Sequence, residues 1–149
     1  MSEGRGLFCP QITNLTNTTN MNDDKVVHKD LSYQVVGVLY DVYNDLGSGY
    51  QEKIYQKALE QYFLTNNIKY KSQVLHNVVV KGKVVGRYYF DFIIDDKIIL
   101  EIKRGDYYIR SNISQVKGYL AASKLQLAII ANFTSSGVKF FRVLNSIKN

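Results

Sequence analysis

The side chains that could do chemistry are concentrated in one stretch, Tyr88 to Arg104, which reads YYFDFIIDDKIILEIKR. Two apolar runs flank a polar segment at 95–97, so the stretch predicts two strands joined by a tight turn. Asp91, Glu101 and Lys103 interrupt these apolar runs. Burying a carboxylate or an ammonium group is costly unless the group is paired or holds an ion. The pattern therefore indicates a set of charges with a specific partner.

The length of the turn decides whether the two carboxylates can meet. Side chains alternate between the faces of a strand, which predicts one apolar face made of Phe90, Phe92 and Ile94. A two-residue loop would put Asp91 and Glu101 on opposite faces, whereas the three-residue loop of 95–97 puts them directly opposite each other. Like charges side by side destabilise a sheet, and a divalent cation between them, with Lys103 beside it, would remove the conflict. The alternative is a plain carboxylate–lysine pair on a solvated face, which the surrounding apolar residues disfavour.

Composition narrows the class of protein and of partner. With 149 residues, 46% of them hydrophobic, the chain can bury the core of one domain. Its net charge of +6 favours polyanionic partners such as nucleic acid. The single cysteine, Cys9, excludes an intramolecular disulfide. No apolar run approaches the roughly 18 residues of a membrane span, and no signal peptide is visible, so we expect a cytoplasmic protein with no membrane contact.

The elements around the central stretch predict a mixed sheet with helices on its faces. Residues 1–29 are polar and without apolar periodicity, which predicts a disordered leader before a single domain over 30–149. Apolar spacing predicts helices over 31–46, 50–66 and 112–123. Strands are predicted over 74–80, 88–94, 98–103, 125–131 and 138–144. The resulting order is helix, helix, three strands, helix, two strands, which indicates an α/β protein.

Two helices carry polar residues of interest. Glu52 lies in the first turn of the second helix, where a carboxylate also suits the helix dipole. Gln115 and Tyr119 are four residues apart and share a face of the third helix. Asn112 and Gln115 also fit a capping box, which is the structural alternative for Gln115.

Several motifs together resemble a known family. Gly49-x-x-Glu52-x-x-Tyr55 resembles the signature of the small GxxExxY proteins, a branch of the PD-(D/E)XK nuclease superfamily. Asp91 followed by Glu101-Ile102-Lys103 resembles the Asp…Glu-x-Lys core of that superfamily. Gln115-x-x-x-Tyr119 resembles the Gln-x-x-x-Tyr motif of its exonuclease-like branches. The resemblance extends over about 31–144, and Ser48 departs from it where the family pattern has proline.

The resemblance implies a restriction-endonuclease-like core, a mixed β-sheet of about five strands flanked by helices. It also implies hydrolysis of phosphodiester bonds in nucleic acid, with Mg²⁺ or Mn²⁺ as cofactor and DNA favoured over RNA. The implied metal ligands are Asp91, Glu101, Glu52 and the carbonyl of Ile102. The implied catalytic residues are Asp91, Glu101, Lys103, Glu52, Gln115 and Tyr119. Lys103 would orient the attacking water or stabilise the phosphorane charge.

Six basic side chains could contact nucleic acid. The side chains that could follow a nucleic-acid backbone are Lys81, Lys83, Arg87, Arg104, Arg110 and Lys117. Tyr107-Tyr108 could stack on bases or pack within their loop. Two other functions stay open: a nucleic-acid-binding module that does not cut, and a protein-interaction subunit with a vestigial acidic site. A homodimer or a recruiting protein partner is compatible with each.

Overall fold

The computed structural model describes residues 26–106 and 110–146, which form three helices and a five-stranded mixed sheet. The helices are α1 (Lys29–Leu46), α2 (Glu52–Thr65) and α3 (Arg110–Ser123). The strands are β1 (Tyr70–Val80), β2 (Lys83–Ile94), β3 (Ile98–Arg104), β4 (Leu127–Thr134) and β5 (Gly137–Leu144). This order of elements is the predicted one. Most of the predicted leader, residues 1–25, lies outside the described residues.

Sheet order follows chain order, β1-β2-β3-β4-β5. β3 and β4 are parallel, and the other neighbouring strands are antiparallel. Helix α3 supplies the crossover that two parallel neighbours require. No helix in the described ranges has the length and apolar character needed to cross a bilayer.

The helices form one layer on each face of the sheet. Helices α1 and α2 pack on the face that carries Phe92, Leu100 and Ile102. Helix α3 packs on the opposite face, against Ile99 and Ile130. Because β3 and β4 are covered on both faces, both strands are nearly continuous apolar runs, as expected for buried strands. The central acidic residues therefore lie beside a well-packed core.

Tyr55 ties the turn between α1 and α2 to the sheet. Helix α1 ends at Gly47, which has a φ of 69°. The Tyr55 hydroxyl donates to the Gly47 carbonyl oxygen at 2.6 Å. The Tyr55 ring is fully buried and stacks on Phe133 of β4, with ring centroids 4.1 Å apart. The tyrosine of the Gly49-x-x-Glu52-x-x-Tyr55 motif is thus structural, and it fixes the helix that carries Glu52.

We expect Tyr55→Phe to lower the free energy of unfolding by about 1–2 kcal/mol, because the Gly47 carbonyl loses its donor while the ring stacking is kept. Urea denaturation followed by circular dichroism measures this change. Tyr89→Phe is the matched control, since the Tyr89 side chain is 58% exposed. Equal unfolding midpoints for the two variants would contradict a structural role for the Tyr55 hydroxyl.

Strands β1 and β2 extend further than the sequence predicted. They begin at Tyr70 and Lys83, whereas apolar patterning indicated starts near 74 and 88. β2 pairs with β3 only over residues 92–94, so the preceding part of β2 pairs with β1 alone. We call residues 74–90 the β1–β2 ribbon. The polar and glycine residues near Gly86 weaken the strand pattern there, which explains the shorter prediction.

The alternation of faces along β2 is interrupted at Asp91. Phe92 packs in the core under α1 and α2, whereas Phe90 packs under α3. The prediction that Phe90, Phe92 and Ile94 share a face is therefore wrong for Phe90. On β1, Gln73 lies between the residues paired with Phe92 and Phe90, and it has a φ of 50°. This left-handed residue breaks the regular pleat next to Asp91.

Candidate active site

Asp91 and Glu101 meet where β2 separates from β3. Ile94 pairs with Ile98 across the turn, which confirms the predicted three-residue loop, and Phe92 pairs with Leu100. One residue further, at Asp91 and Glu101, hydrogen bonds from the backbone to the two carboxylates take the place of backbone–backbone pairing. The Asp91 N–H donates to Glu101 Oε1 at 3.2 Å, and the Ile102 N–H donates to Asp91 Oδ2 at 2.8 Å. The two acidic side chains are thus held side by side by each other's strand.

Burial makes this pair electrostatically unusual. Glu101 is only 5% exposed. Burial, and next to it the neighbouring charge of Asp91, raises the pKa of Glu101 to about 8. Burial also raises the pKa of Asp91, opposed by hydrogen bonds and by the charge of Lys103. The pair is costly to hold as two bare anions, which is the condition that a bound cation would relieve.

Lys103 and Glu52 both act on the pair electrostatically. The ammonium of Lys103 partly counteracts the rise in the pKa of both carboxyl groups. It forms no ion pair with either carboxylate within 4.0 Å among the described side chains. The negative charge of Glu52 raises the pKa of Glu101. Across residues 26–106 and 110–146, no three His, Cys, Asp or Glu side chains are grouped closely enough to hold an ion. Glu52 is therefore not grouped with the pair at ligand distance, and the contact shown for Ile102 is its N–H.

Two glutamines that the sequence analysis missed complete the surroundings of Asp91. Gln56 Nε2 donates to Asp91 Oδ1 at 3.1 Å. Gln73 Nε2 donates to Gln56 Oε1 at 3.3 Å. Gln73 also hydrogen-bonds to Asp91, and this bond counteracts part of the rise in the pKa of Asp91. Gln56 lies one helical turn after Glu52, a spacing that could have identified it. Gln73 has no sequence signal, because its position depends on its backbone conformation and on long-range pairing.

Helix α3 brings Tyr119 to the opposite side of the pair. Tyr119 is 6% exposed and packs against Phe90, with ring centroids 5.2 Å apart. Burial raises the pKa of Tyr119, and the charges of Glu101 and Asp91 act in the same direction. These influences place the phenol within the electrostatic reach of both carboxylates.

Gln115 hydrogen-bonds to Tyr119 one helical turn later, and this bond counteracts the rise in the Tyr119 pKa. The capping-box alternative for Gln115 is wrong, because α3 begins at Arg110 and Asn112 lies inside the helix. The Oδ1 atom of Asn112 is buried and makes no hydrogen bond in the described part of the chain. Gln115 and Tyr119 thus form a polar pair on the same helix face, as predicted.

The chain immediately after Lys103 is held by Asn132 of β4, a contact that the sequence analysis did not predict. Asn132 pairs with Lys103 across the parallel ladder and is buried. Its Nδ2 atom donates to the Gly105 carbonyl oxygen at 3.1 Å, and the Gly105 N–H donates to the Phe133 carbonyl oxygen at 2.9 Å. A polar residue inside the apolar run of β4 is the signal that could have identified it.

The predicted nucleic-acid contacts lie on several elements. The exposed ones are Lys81, Lys83, Arg87, Arg104 and Lys117. Arg110 is the first residue of α3, and its side chain lies outside the described residues, as does the Tyr107-Tyr108 pair. Of these basic residues, three lie on the β1–β2 ribbon, which leads directly into Asp91.

Comparison with known proteins supports one family. The sequence matches the model of the PD-(D/E)XK nuclease superfamily over residues 29–143. No curated protein shows a significant match. Among solved structures, the chain is similar to the crystal structure of SSO0001, with a TM-score of 0.50 and 20% identity over 94% of this chain and 64% of that one. It is also similar to an alkaline exonuclease (LHK-Exo) from Laribacter hongkongensis, with a TM-score of 0.45 and 10% identity over 77% of this chain and 82% of that one.

The fold and the sequence match agree. The chain spans 64% of the length of SSO0001, and at 20% identity that likeness concerns the fold alone. The mixed five-stranded sheet flanked by helices is the restriction-endonuclease-like core that the resemblance implied. The matched segment runs from the start of α1 to the penultimate residue of β5. The chain therefore belongs to the PD-(D/E)XK nuclease superfamily.

Proposed function

We propose that this protein is a metal-dependent nuclease of the GxxExxY branch that hydrolyses phosphodiester bonds, with DNA favoured as its substrate. The observation that carries the proposal is the pairing of the half-buried Asp91 with the buried Glu101, with Lys103 two residues further along β3. Membership in a nuclease superfamily supports it, and so does the net charge of +6. A polyanionic substrate is attracted to such a surface.

The donor set fits a hard divalent cation. Mg²⁺ and Mn²⁺ prefer oxygen ligands, and Mg²⁺ is often held by one or two carboxylates together with water. Glu101 Oε2 makes no hydrogen bond within the described part of the chain, so it is available as a ligand. Asp91 and Glu101 would hold the ion, with the Ile102 carbonyl and a water-mediated Glu52 as further ligands. When bound, the ion would polarise the scissile phosphate and lower the pKa of an attacking water.

The chain's own residues would position the substrate and the water. Lys103 would orient the attacking water or stabilise the charge that develops on the phosphate. Tyr119 and Gln115 would contact the phosphate from the side of α3. Gln56 would keep the Asp91 carboxylate in one orientation, since it donates to Oδ1 while the Ile102 N–H holds Oδ2.

Cleavage assays test the proposal. Labelled duplex DNA, single-stranded DNA and RNA are incubated with the protein in Mg²⁺, in Mn²⁺ and in EDTA. We expect cleavage with either metal, no cleavage in EDTA, and duplex or single-stranded DNA cut faster than RNA. Salt-dependent binding without cleavage under any metal would favour a nucleic-acid-binding module instead. Absence of both metal and nucleic-acid affinity would favour a protein-interaction subunit.

We expect Gln56→Met to reduce metal affinity or cleavage by about 10- to 100-fold, the usual cost of losing a group that orients a metal ligand. Methionine keeps the length of the side chain but cannot donate to Asp91. Gln61→Met is the matched control, because Gln61 is exposed on the same helix. Calorimetric Mn²⁺ titration and single-turnover cleavage measure the change, and Gln56→Met protein that behaves as Gln61→Met protein would contradict the role of Gln56.

A further inference from the structure

The β1–β2 ribbon carries positive charge without any acidic side chain. Residues 61–90 contain no Asp or Glu, although the whole chain has 13. The basic residues of the ribbon itself are Lys81, Lys83 and Arg87, whereas Lys69 and Lys71 precede it and Lys71 is paired with Asp96 at 3.1 Å. The ribbon residues 83–90 have no ladder partner on the β3 side, so the ribbon projects from the sheet beyond β3. This surface therefore combines a uniform charge with an exposed two-stranded shape.

One face of the ribbon is anchored and the other is free. Tyr88 packs against Tyr119 of α3, with ring centroids 4.6 Å apart, and His76 stacks on Phe90 at 5.9 Å. The residues that alternate with these point to the opposite face, where Leu75 pairs with Tyr89. Leu75 and Tyr89 are 45% and 58% exposed. The base of the ribbon is thus held by α3 while one face is left open.

The end of the ribbon is also apolar, exposed and tightly turned. Lys81 and Gly82 both have positive φ values, of 50° and 79°, between the paired Val80 and Lys83. Two such residues form the hairpin turn that matches the twist of a two-stranded ribbon. The exposed valines next to this turn are Val79, Val80, Val84 and Val85. Because Val79 and Val80 are consecutive in β1, they point to opposite faces, so the end of the ribbon exposes apolar side chains on both faces, as an interaction surface would.

Charge decides which partner this surface fits. A second copy of the ribbon would bring like charges together, whereas a polyanion would neutralise them. A two-stranded β-ribbon fits the major groove of B-form DNA, which is about 12 Å wide. The major groove of A-form RNA is too narrow and deep for side chains to read. The shape and the charge together favour double-stranded DNA.

We propose that the β1–β2 ribbon docks into a groove of double-stranded DNA, with Lys81, Lys83 and Arg87 on the flanking phosphates and the exposed valines against the groove. The ribbon ends at Asp91, so a duplex docked along it passes over the acidic pair. Lys83 lies eight residues before Asp91, about 27 Å at the rise of an antiparallel strand. That length corresponds to about eight base pairs. The inference specifies the substrate of the proposed nuclease and rests on that function only for its role in cleavage.

The test measures DNA binding in EDTA, where no metal-dependent cleavage interferes. Fluorescence anisotropy with a labelled duplex compares the wild type with the triple variant Lys81→Gln/Lys83→Gln/Arg87→Gln. A triple control, Lys29→Gln/Lys124→Gln/Lys139→Gln, removes the same charge from exposed sites away from the ribbon. We expect the ribbon variant to lose about a hundredfold in affinity at 0.15 M salt and its salt slope to fall by about 2.7, since each phosphate contact contributes about 0.9. The control should change little.

A second variant tests the apolar part of the ribbon. Val79→Thr/Val85→Thr keeps β-branched side chains and should weaken duplex binding with an unchanged salt slope. Thermal melting confirms that each variant is folded. Equal losses in the ribbon and control triple variants would overturn the proposal, as would equally ribbon-dependent binding of single-stranded DNA or of double-stranded RNA. Sedimentation showing that the valine variant converts a dimer to a monomer, with DNA affinity unchanged, would assign the ribbon to a second copy instead.

The binding and cleavage results separate the two proposals. Ribbon-dependent duplex binding by a protein that cuts under no metal would support the docking surface and contradict the nuclease function. Metal-dependent cleavage with duplex affinity insensitive to the ribbon variants would do the reverse.

Discussion

Asp91→Asn is expected to reduce metal-dependent cleavage by about a thousandfold while preserving the fold. A catalytic metal contributes several kcal/mol of transition-state stabilisation, and about 4 kcal/mol corresponds to a factor of about 10³ in rate. Asparagine removes the negative charge that would hold the ion. It keeps a side-chain oxygen that can accept the Ile102 N–H, which now donates to Asp91 Oδ2 at 2.8 Å. The loss should therefore lie mainly in metal binding and chemistry, while the loss of the acceptor for Gln56 Nε2 lowers the free energy of unfolding by about 1 kcal/mol.

Single-turnover cleavage of labelled duplex DNA and calorimetric Mg²⁺ and Mn²⁺ titrations measure this loss. Asp96→Asn is the control, because the Asp96 side chain is 76% exposed in the β2–β3 turn. Thermal melting in EDTA checks that both variants are folded. Undiminished cleavage by Asp91→Asn protein would mean that the acidic pair is not the active site.

Glu101→Gln is expected to abolish cleavage and, in the absence of metal, to make the protein more stable. The carboxylate is buried beside Asp91, so its ionised form is destabilised, whereas glutamine can still accept the Asp91 N–H at that position. The pKa of Glu101 is raised from 4.5 to about 8. The folded protein thus binds more protons than the unfolded chain between these values, and wild-type stability falls as the pH rises through that window. The variant has no such titration and keeps its stability.

Thermal unfolding in EDTA from pH 5 to pH 9 tests this prediction. The difference in melting temperature between the Glu101→Gln variant and the wild type should grow with pH and reach several degrees, about the effect of 1–2 kcal/mol in a domain of this size. Added Mg²⁺ should narrow the difference, because the ion stabilises only the wild type. A variant less stable than the wild type at every pH would contradict the electrostatic account of the pair.

The position of the acidic pair could be predicted because it depends only on the number of residues in the β2–β3 turn and on the alternation of side chains along each strand. Three residues separate Ile94 from Ile98, and strand parity then places Asp91 beside Glu101. Neither step needs knowledge of the rest of the fold. The helix boundaries were similarly accessible, because the glycines at 47 and 49 end the apolar pattern of α1 and both have positive φ values.

The surroundings of the pair could not be predicted in the same way. Phe90 changes face because the pleat is broken at Asp91 and Gln73, and a local pattern carries no record of such a break. Gln56 and Gln73 meet Asp91 from a helix and a strand that are distant in sequence. The full length of β2 was also missed, since its projecting half is stabilised by pairing with β1 and not by an apolar face of its own.

The exchange of hydrogen bonds at Asp91 and Glu101 has a consequence for how the protein could change. Each carboxylate accepts a backbone N–H of the opposite strand. The two acidic side chains therefore take the place of backbone hydrogen bonds and end the pairing of β2 with β3. Apolar replacements at both positions would leave these backbone N–H groups without acceptors. Pairing between β2 and β3 would then extend, and the ribbon would move toward β3. The residues that would bind an ion are thus also the residues that keep β2 and β3 apart beyond Phe92 and Leu100.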